Sequence, residues 1–212
     1  MKKYMSIIFD DAPNIYMNEM VDKFVKHGFS CGFAIVGNMI NSETLPMVKY
    51  AIDNNCQIVS HGQTHANLKK AVSVAEIEQE LMLPVNTIEK QLGHRIKMAR
   101  LPFLSGNEMV YEYAEKMHLP LLGQGIKGGR DWDSKSPIAT IAQEVIESAC
   151  NGAIGCLHVR ENTCKALDII LPELKRAGFC LVTPDEIFEA FGVQEIPLGV
   201  QINNVLNNSK EI

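Results

Sequence analysis

The sequence has no basic block: 20 Lys and Arg stand against 25 Asp and Glu, for a formal net charge of −5. Nucleic-acid phosphates require clustered cations, so no nucleic-acid partner is expected. No apolar run approaches the roughly 18 to 20 residues of a membrane-crossing helix, and no membrane span is expected. The opening MKKYMSIIFDDAP has two lysines but neither a long apolar stretch nor a small-residue cleavage site. No secretory leader is read there, and the expectation is cytoplasmic. No Cys-x-x-Cys pair occurs. Cys31, Cys56, Cys150, Cys156, Cys164 and Cys180 are scattered, mostly in apolar segments, as expected of reduced, packed thiols rather than a disulfide framework. GIKGGR contains glycines but no phosphate-loop pattern, and no repeat of solenoid or propeller length is visible.

What the sequence does contain is alternation. Strand-like runs lie at 4–9, 32–36, 56–60, 96–100, 119–123, 153–159 and 179–182, with helical patterns between them at 15–27, 44–54, 74–92, 107–118, 137–150 and 163–177. Gly28, Gly93 and Gly178 are natural helix stops, and Ser73 with Glu76 predicts a capping box. Pro84 should kink or split the third helix. Strand following helix over nearly the whole chain predicts parallel strands with helical crossovers in an α/β fold. About seven such units fit a closed or nearly closed barrel, and a doubly wound open sheet would show the same alternation. Residues 1–190 are expected to form that single domain, and 191–212, rich in Asn, a loose tail or a cap on the barrel.

The polar residues with chemical capacity fall just past these strands. Asp10 and Asp11 follow the first, His61 and His65 the third, Arg100 closes the fourth, and His158 closes the sixth. That carboxyl edge is where sites assemble in barrels and open parallel sheets. Two imidazoles and one carboxylate suit Zn²⁺ with an open position for water, whereas the alternative reading of HGQTH is a loop carrying two solvated histidines. Gly62 argues for a loop rather than a helix interior. Adjacent carboxylates on a regular strand point to opposite faces. The abrupt exit before Pro13 is expected to release Asp10 and Asp11 into one pocket, one neutralised by metal and the other balanced by Arg100. His158 reads either as a core histidine or as a general acid. Trp132, in GGRDWDSKSP, reads either as packing or as a pocket wall beside Asp131.

These segments, in this order, resemble the polysaccharide deacetylases of carbohydrate esterase family 4, the NodB-homology domain. The resemblance rests on FDDAP, HGQTH, RLPF, RDW and CLH, and covers roughly residues 4 to 190. It implies a distorted (β/α)₇ barrel and a metal-dependent deacetylase acting on an N-acetylated sugar or oligosaccharide, with Zn²⁺ first and Co, Ni or Fe as alternatives. It further implies Asp10 as base, Asp11, His61 and His65 as metal ligands, and Arg100 orienting the base while paired with Asp131. His158 would be the acid, and Pro102, Phe103 and Trp132 would contact substrate, with the Phe103 N–H helping to hold an oxyanion. The sequence departs from the usual pattern at Ala12, Gly62, Phe103 and Val159. Two other readings use the same residues: a non-haem iron oxygenase, which would have no use for the spare carboxylate, and a NodB-like module that binds a glycan or another amide without turnover.

Overall fold

The structure is a computed structural model and describes residues 2–206; Met1 and the last six residues of the expected tail, 207–212, lie outside the described residues. Strand β1 (Lys3–Ala12) is buried on both faces through most of its length, which makes it the central strand. It pairs in parallel with β2 (Gly32–Ile35), with β5 (Ile154–His158), and through its first residues with β6 (Phe179–Leu181). Strand β3 (Gln57–Ser60) continues the sheet beyond β2. Beyond β3 the wall is thin. Ala99 alone bridges Ser60 to Leu121 on β4 (Leu121–Leu122), so the expected strand at 96–100 reduces to one bridging residue. Strand β7 (Gln201–Ile202) pairs with β4, and the Asn203 carbonyl accepts from the Ile154 amide at 2.9 Å. The ring closes there, giving an α/β distorted barrel.

Helices α1 (Met17–His27), α2 (Leu45–Asp53), α3 (Val74–Leu92), α4 (Glu108–Lys116), α5 (Ile138–Ser148), α6 (Glu161–Arg176) and α7 (Pro184–Ala190) follow the strands. Local chemistry sets their ends. Gly28 closes α1 at φ 70°, in the left-handed region that glycine enters without a Cβ penalty. Ser73 caps α3 by accepting from the Glu76 amide, but Glu76 reaches back to the Val72 amide rather than to that of Ser73. The reciprocal box forms instead at α7, between Thr183 and Glu186. Pro84 neither splits α3 nor ends it. Its ring removes one backbone donor, and Ser60 on β3 supplies a hydroxyl to the nearby Leu81 carbonyl at 2.9 Å.

The two-residue period of β1 sorts the interior. Met5, Ile7 and Phe9 pack outward into the cluster beneath α1 and α6, where Phe9 meets the Phe24 ring edge-on at 5.7 Å. Ile8 packs inward with Ala34, Val59, Met98, Leu122, Ile154 and Ile202. Asp10 belongs to the inward set, at the carboxyl end. On β5 the sorting is the same. Leu157 and Val159 pack outward, whereas Ile154, Cys156 and His158 share the inner face.

Ile202 is fully buried in the inner cluster, although it comes from a two-residue strand late in the chain. Ile202→Ala is therefore expected to cost about 2–4 kcal/mol of unfolding free energy, the range for truncating a packed core aliphatic. Urea denaturation checks this; a loss under about 0.5 kcal/mol would mean that β7 is a dispensable addition to the wall.

Candidate active site

The paired acids meet by a bulge. The β1–β2 register slips between Phe9 and Ala12, and Asp11 sits at φ 59°. A left-handed residue inserted into a strand lets two successive side chains reach one face, and Asp is among the few types that accept that conformation readily. Strand β1 runs on to Ala12, so the convergence comes from this slip and not from the strand ending before Pro13.

The histidine loop is braced from α3. Glu80 accepts from the Thr64 amide at 3.0 Å and from the Thr64 hydroxyl at 2.7 Å. Gly62 takes φ 79°, and a Cβ there would lie 3.0 Å from a Glu80 carboxylate oxygen, so this brace favours glycine. His61 is buried, and its Nδ1 lies 2.8 Å from the Arg100 carbonyl. A carbonyl can only accept, so Nδ1 carries the hydrogen and Nε2 presents a lone pair. That Nε2 is 3.8 Å from Asp10 Oδ2 and 4.0 Å from Asp11 Oδ1. Burial is the largest influence on His61 and lowers its pKa, outweighing the pull of Asp10. His65 Nε2 is 3.3 Å from Asp11 Oδ1.

Asp11, His61 and His65 thus each offer one ligand atom, all within 4.8 Å of one another. Two neutral-capable imidazoles and a carboxylate form a donor set that fits a divalent cation, and the hydrogen-bonded Nδ1 of His61 is the support such ligands ordinarily have. Asp10, Cys156 and His158 are equally close together. They fit a cation poorly, because burial pushes the Cys156 thiol well above its ordinary value and keeps it protonated, and Asp10 is already engaged.

That engagement is with Arg100. Asp10 is 4% exposed and Arg100 0%. Arg100 Nε lies 2.9 and 3.0 Å from the two Asp10 oxygens, while its Nη1 donates to the Gly123 carbonyl. Burial works to raise the Asp10 pKa, but Arg100, joined by His61 and His158, outweighs it and holds the carboxyl below its ordinary value. Asp131 does not pair with Arg100, as the resemblance implied. It accepts from the His158 amide at 2.6 Å, lies 2.9 Å from His158 Nδ1, and accepts from the Thr163 hydroxyl at 2.8 Å. Arg100 is drawn inward to the buried Asp10, and Asp131 is left to the imidazole. Burial opposes protonation of His158, but the hydrogen bond and charge of Asp131 prevail and raise its pKa. Asp10 and His158 are register partners on β1 and β5, which sets the carboxylate and the imidazole side by side at the carboxyl edge.

Asp10, Asp11, His61, His65, Asp131 and His158 line a cavity of about 810 Å³. Phe103 (64% exposed) and Trp132 (54% exposed) stand at it as bare aromatic surfaces, and Phe103 meets the His65 ring at 4.8 Å. Pro102 is a correction: it is buried in a 3-10 turn and packs near Gly62, and Leu104 rather than Pro102 lines the cavity beside Phe103. Four contributors went unnoticed in the sequence. Arg160 binds Asp11 Oδ2 at 2.6 Å, Cys156 donates to Asp10 at 3.2 Å, Thr163 holds Asp131, and Glu80 braces the histidine loop. The two-residue period links Cys156, His158 and Arg160, and Glu80 is a lone acid on the apolar face of α3. Those were the available signals.

The polysaccharide deacetylase family profile matches residues 1–122, more than half of the chain, and the chain belongs to that family. It is 27% identical over 195 residues to a bifunctional xylanase/deacetylase of Pseudobutyrivibrio xylanivorans, covering 91% of this chain and 31% of that one. It is 26% identical over 188 residues to the peptidoglycan-N-acetylglucosamine deacetylase PgdA of Listeria monocytogenes, covering 88% and 39%. The chain therefore spans well under half the length of these two relatives. Among solved structures, a family 4 acetyl xylan esterase from Clostridium thermocellum, in complex with a cobalt ion, superposes with a TM-score of 0.88 at 26% identity, covering 96% of this chain and 99% of that one.

The Asp131–His158 contact has a direct readout. In Asp131→Asn the charge that raises the imidazole is gone, so the His158 pKa is expected to fall, followed by NMR titration of the ring protons. An unmoved titration would detach Asp131 from the protonation of His158.

Proposed function

We propose that the protein hydrolyses N-acetyl groups on a saccharide, using a divalent metal, Zn²⁺ first, held by Asp11, His61 and His65. When bound, the ion supplies Lewis acidity for activating water and polarising the acetyl carbonyl. Asp10 takes the proton of the attacking water. It suits this duty because Arg100 keeps it ionised and fixed while leaving it free of the ligand set. The Phe103 amide donates to the oxyanion of the tetrahedral intermediate, from a turn whose left-handed φ of 58° sits beside His65. His158, with Nδ1 committed to Asp131, donates its Nε2 proton to the departing nitrogen as the amide C–N bond breaks. Acetate and a free amine are the products.

The observation that carries this reading is the register pairing of Asp10 with His158, next to three convergent ligand atoms. One strand pair thereby holds a carboxylate biased towards ionisation and an imidazole biased towards protonation. An amine is too basic to leave without a proton, so a protonated imidazole favours amide over ester cleavage. The esterase activity named for the C. thermocellum protein makes an O-acetyl ester the second substrate to assay.

Acetate release from N-acetylated oligosaccharides, by protein stripped with chelator and reloaded with Zn²⁺ or Co²⁺, is expected; acetate from O-acetylated xylan alone would shift the reading to ester hydrolysis. Asp10→Asn is expected to lower turnover about 10²- to 10⁴-fold, and near-normal turnover would remove Asp10 as base. The sign of the pH response follows from the shifts. Asp10 is ionised from below its ordinary 3.8 upward, and His158 stays charged past its ordinary 6.5, so the alkaline limb of the rate should fall at a pH above 6.5.

A further inference from the structure

Two cations at the cavity have no acid to pair with among the described residues. Each carboxylate at its wall has a partner: Asp10 pairs with Arg100, Asp11 with Arg160, Asp131 with His158 and Thr163, and Glu144 accepts from the Gly129 amide at 3.1 Å. The cations differ. Lys127 and Arg130 are exposed at the cavity and pair with no carboxylate among the described residues. Arg130 lies over the Trp132 ring at 5.1 Å, which holds its guanidinium at the mouth. Arg160 is 43% exposed and spends one nitrogen on Asp11. Arg160 also lines a second cavity of about 460 Å³ beyond it, so it stands between two hollows. Counting Arg100 behind Asp10, four cationic side chains face four carboxylates. The formal balance is even, and the charge left without a carboxylate partner is that of Lys127 and Arg130.

We propose that the substrate is an anionic N-acetylated sugar, its acetamido group at Asp10 and His158 and its carboxylate or phosphate held by Lys127, Arg130 and Arg160. The identity of the acyl group rests on the deacetylase reading; the anion preference rests on the charge distribution alone. Bare aromatic surface at Phe103 and Trp132 covers the faces of the sugar ring, and the guanidinium groups supply the paired donors that planar or tetrahedral oxyanions take. A neutral sugar would leave Lys127 and Arg130 without an anionic partner.

Calorimetric titration of the Zn²⁺-loaded full chain at low salt tests this with three probes: N-acetylglucosamine, N-acetylglucosamine 6-phosphate and N-acetylmuramic acid. At least one anionic sugar should bind about tenfold or more tightly than the neutral one, and which of the two does so separates phosphate from carboxylate. The advantage should shrink as salt shortens the range of the field. It should also fall about tenfold in Lys127→Ala/Arg130→Ala, whose side chains are exposed and carry no core packing. Equal affinity for all three probes, no measurable binding of either anionic sugar, or a preference untouched by the double substitution would each overturn the proposal. Acetate measured in parallel separates the two claims. Release from the neutral sugar without anion preference overturns this inference and leaves deacetylation standing, whereas anion preference with no acetate from any probe does the reverse.

Discussion

A carboxylate with 4% of its surface exposed, facing a fully buried guanidinium, is the contact on which the site depends. Taking two charges out of water costs several kcal/mol per ion unless geometry and further hydrogen bonds compensate. Here Arg100 contacts both oxygens of Asp10, spends Nη1 on the Gly123 carbonyl, and lends its own carbonyl to His61. One residue therefore fixes the ionised acid, ties it to the β4 wall and sets the tautomer of the neighbouring imidazole. Removing Arg100 would leave a buried, unbalanced carboxylate, so the pair is held by its own electrostatics as firmly as by the barrel around it.

The barrel gathers further groups around that contact through strand register. Parallel pairing of β1 with β5 puts His158 level with Asp10, and the bulge at Asp11 brings the next carboxylate to the same face. Three titratable groups within one cavity are then pushed to different states by different neighbours. Arg100 keeps Asp10 charged, burial keeps His61 neutral, and Asp131 favours the charged form of His158. Groups with divergent pKa values in one cleft are what acid–base chemistry near neutral pH requires.

Much of this was legible from residue order. The alternation of strand and helix gave the α/β class, and the placement of Asp10, Asp11, His61, His65, Arg100 and His158 past strand ends picked out residues that the structure brings together as the candidate site. What escaped the sequence was contact made across it. The thin wall at 96–100 escaped because an apolar run with one bridging residue reads the same as a full strand. The pairing of Arg100 with Asp10 rather than Asp131 depends on how the side chains meet across the barrel, and Asp131 is taken by His158 and Thr163. Strand β7 escaped because Gln201 and Ile202 are too short a run to carry a period, and their pairing comes from the gap between β4 and β5. Arg160 lies beyond the last motif, and only the two-residue period past His158 marks it.

Metal content reports most directly on the ligand set. After dialysis against Zn²⁺ or Co²⁺ and removal of free ion, elemental analysis should find one ion per chain. The count should drop to near zero in Asp11→Ala and in His61→Ala with the fold retained by circular dichroism, and stay near one in Asp10→Asn. Full occupancy in the first two variants, or loss of the ion with Asp10→Asn, would contradict the assignment of Asp11, His61 and His65 as ligands and Asp10 as the free base beside them.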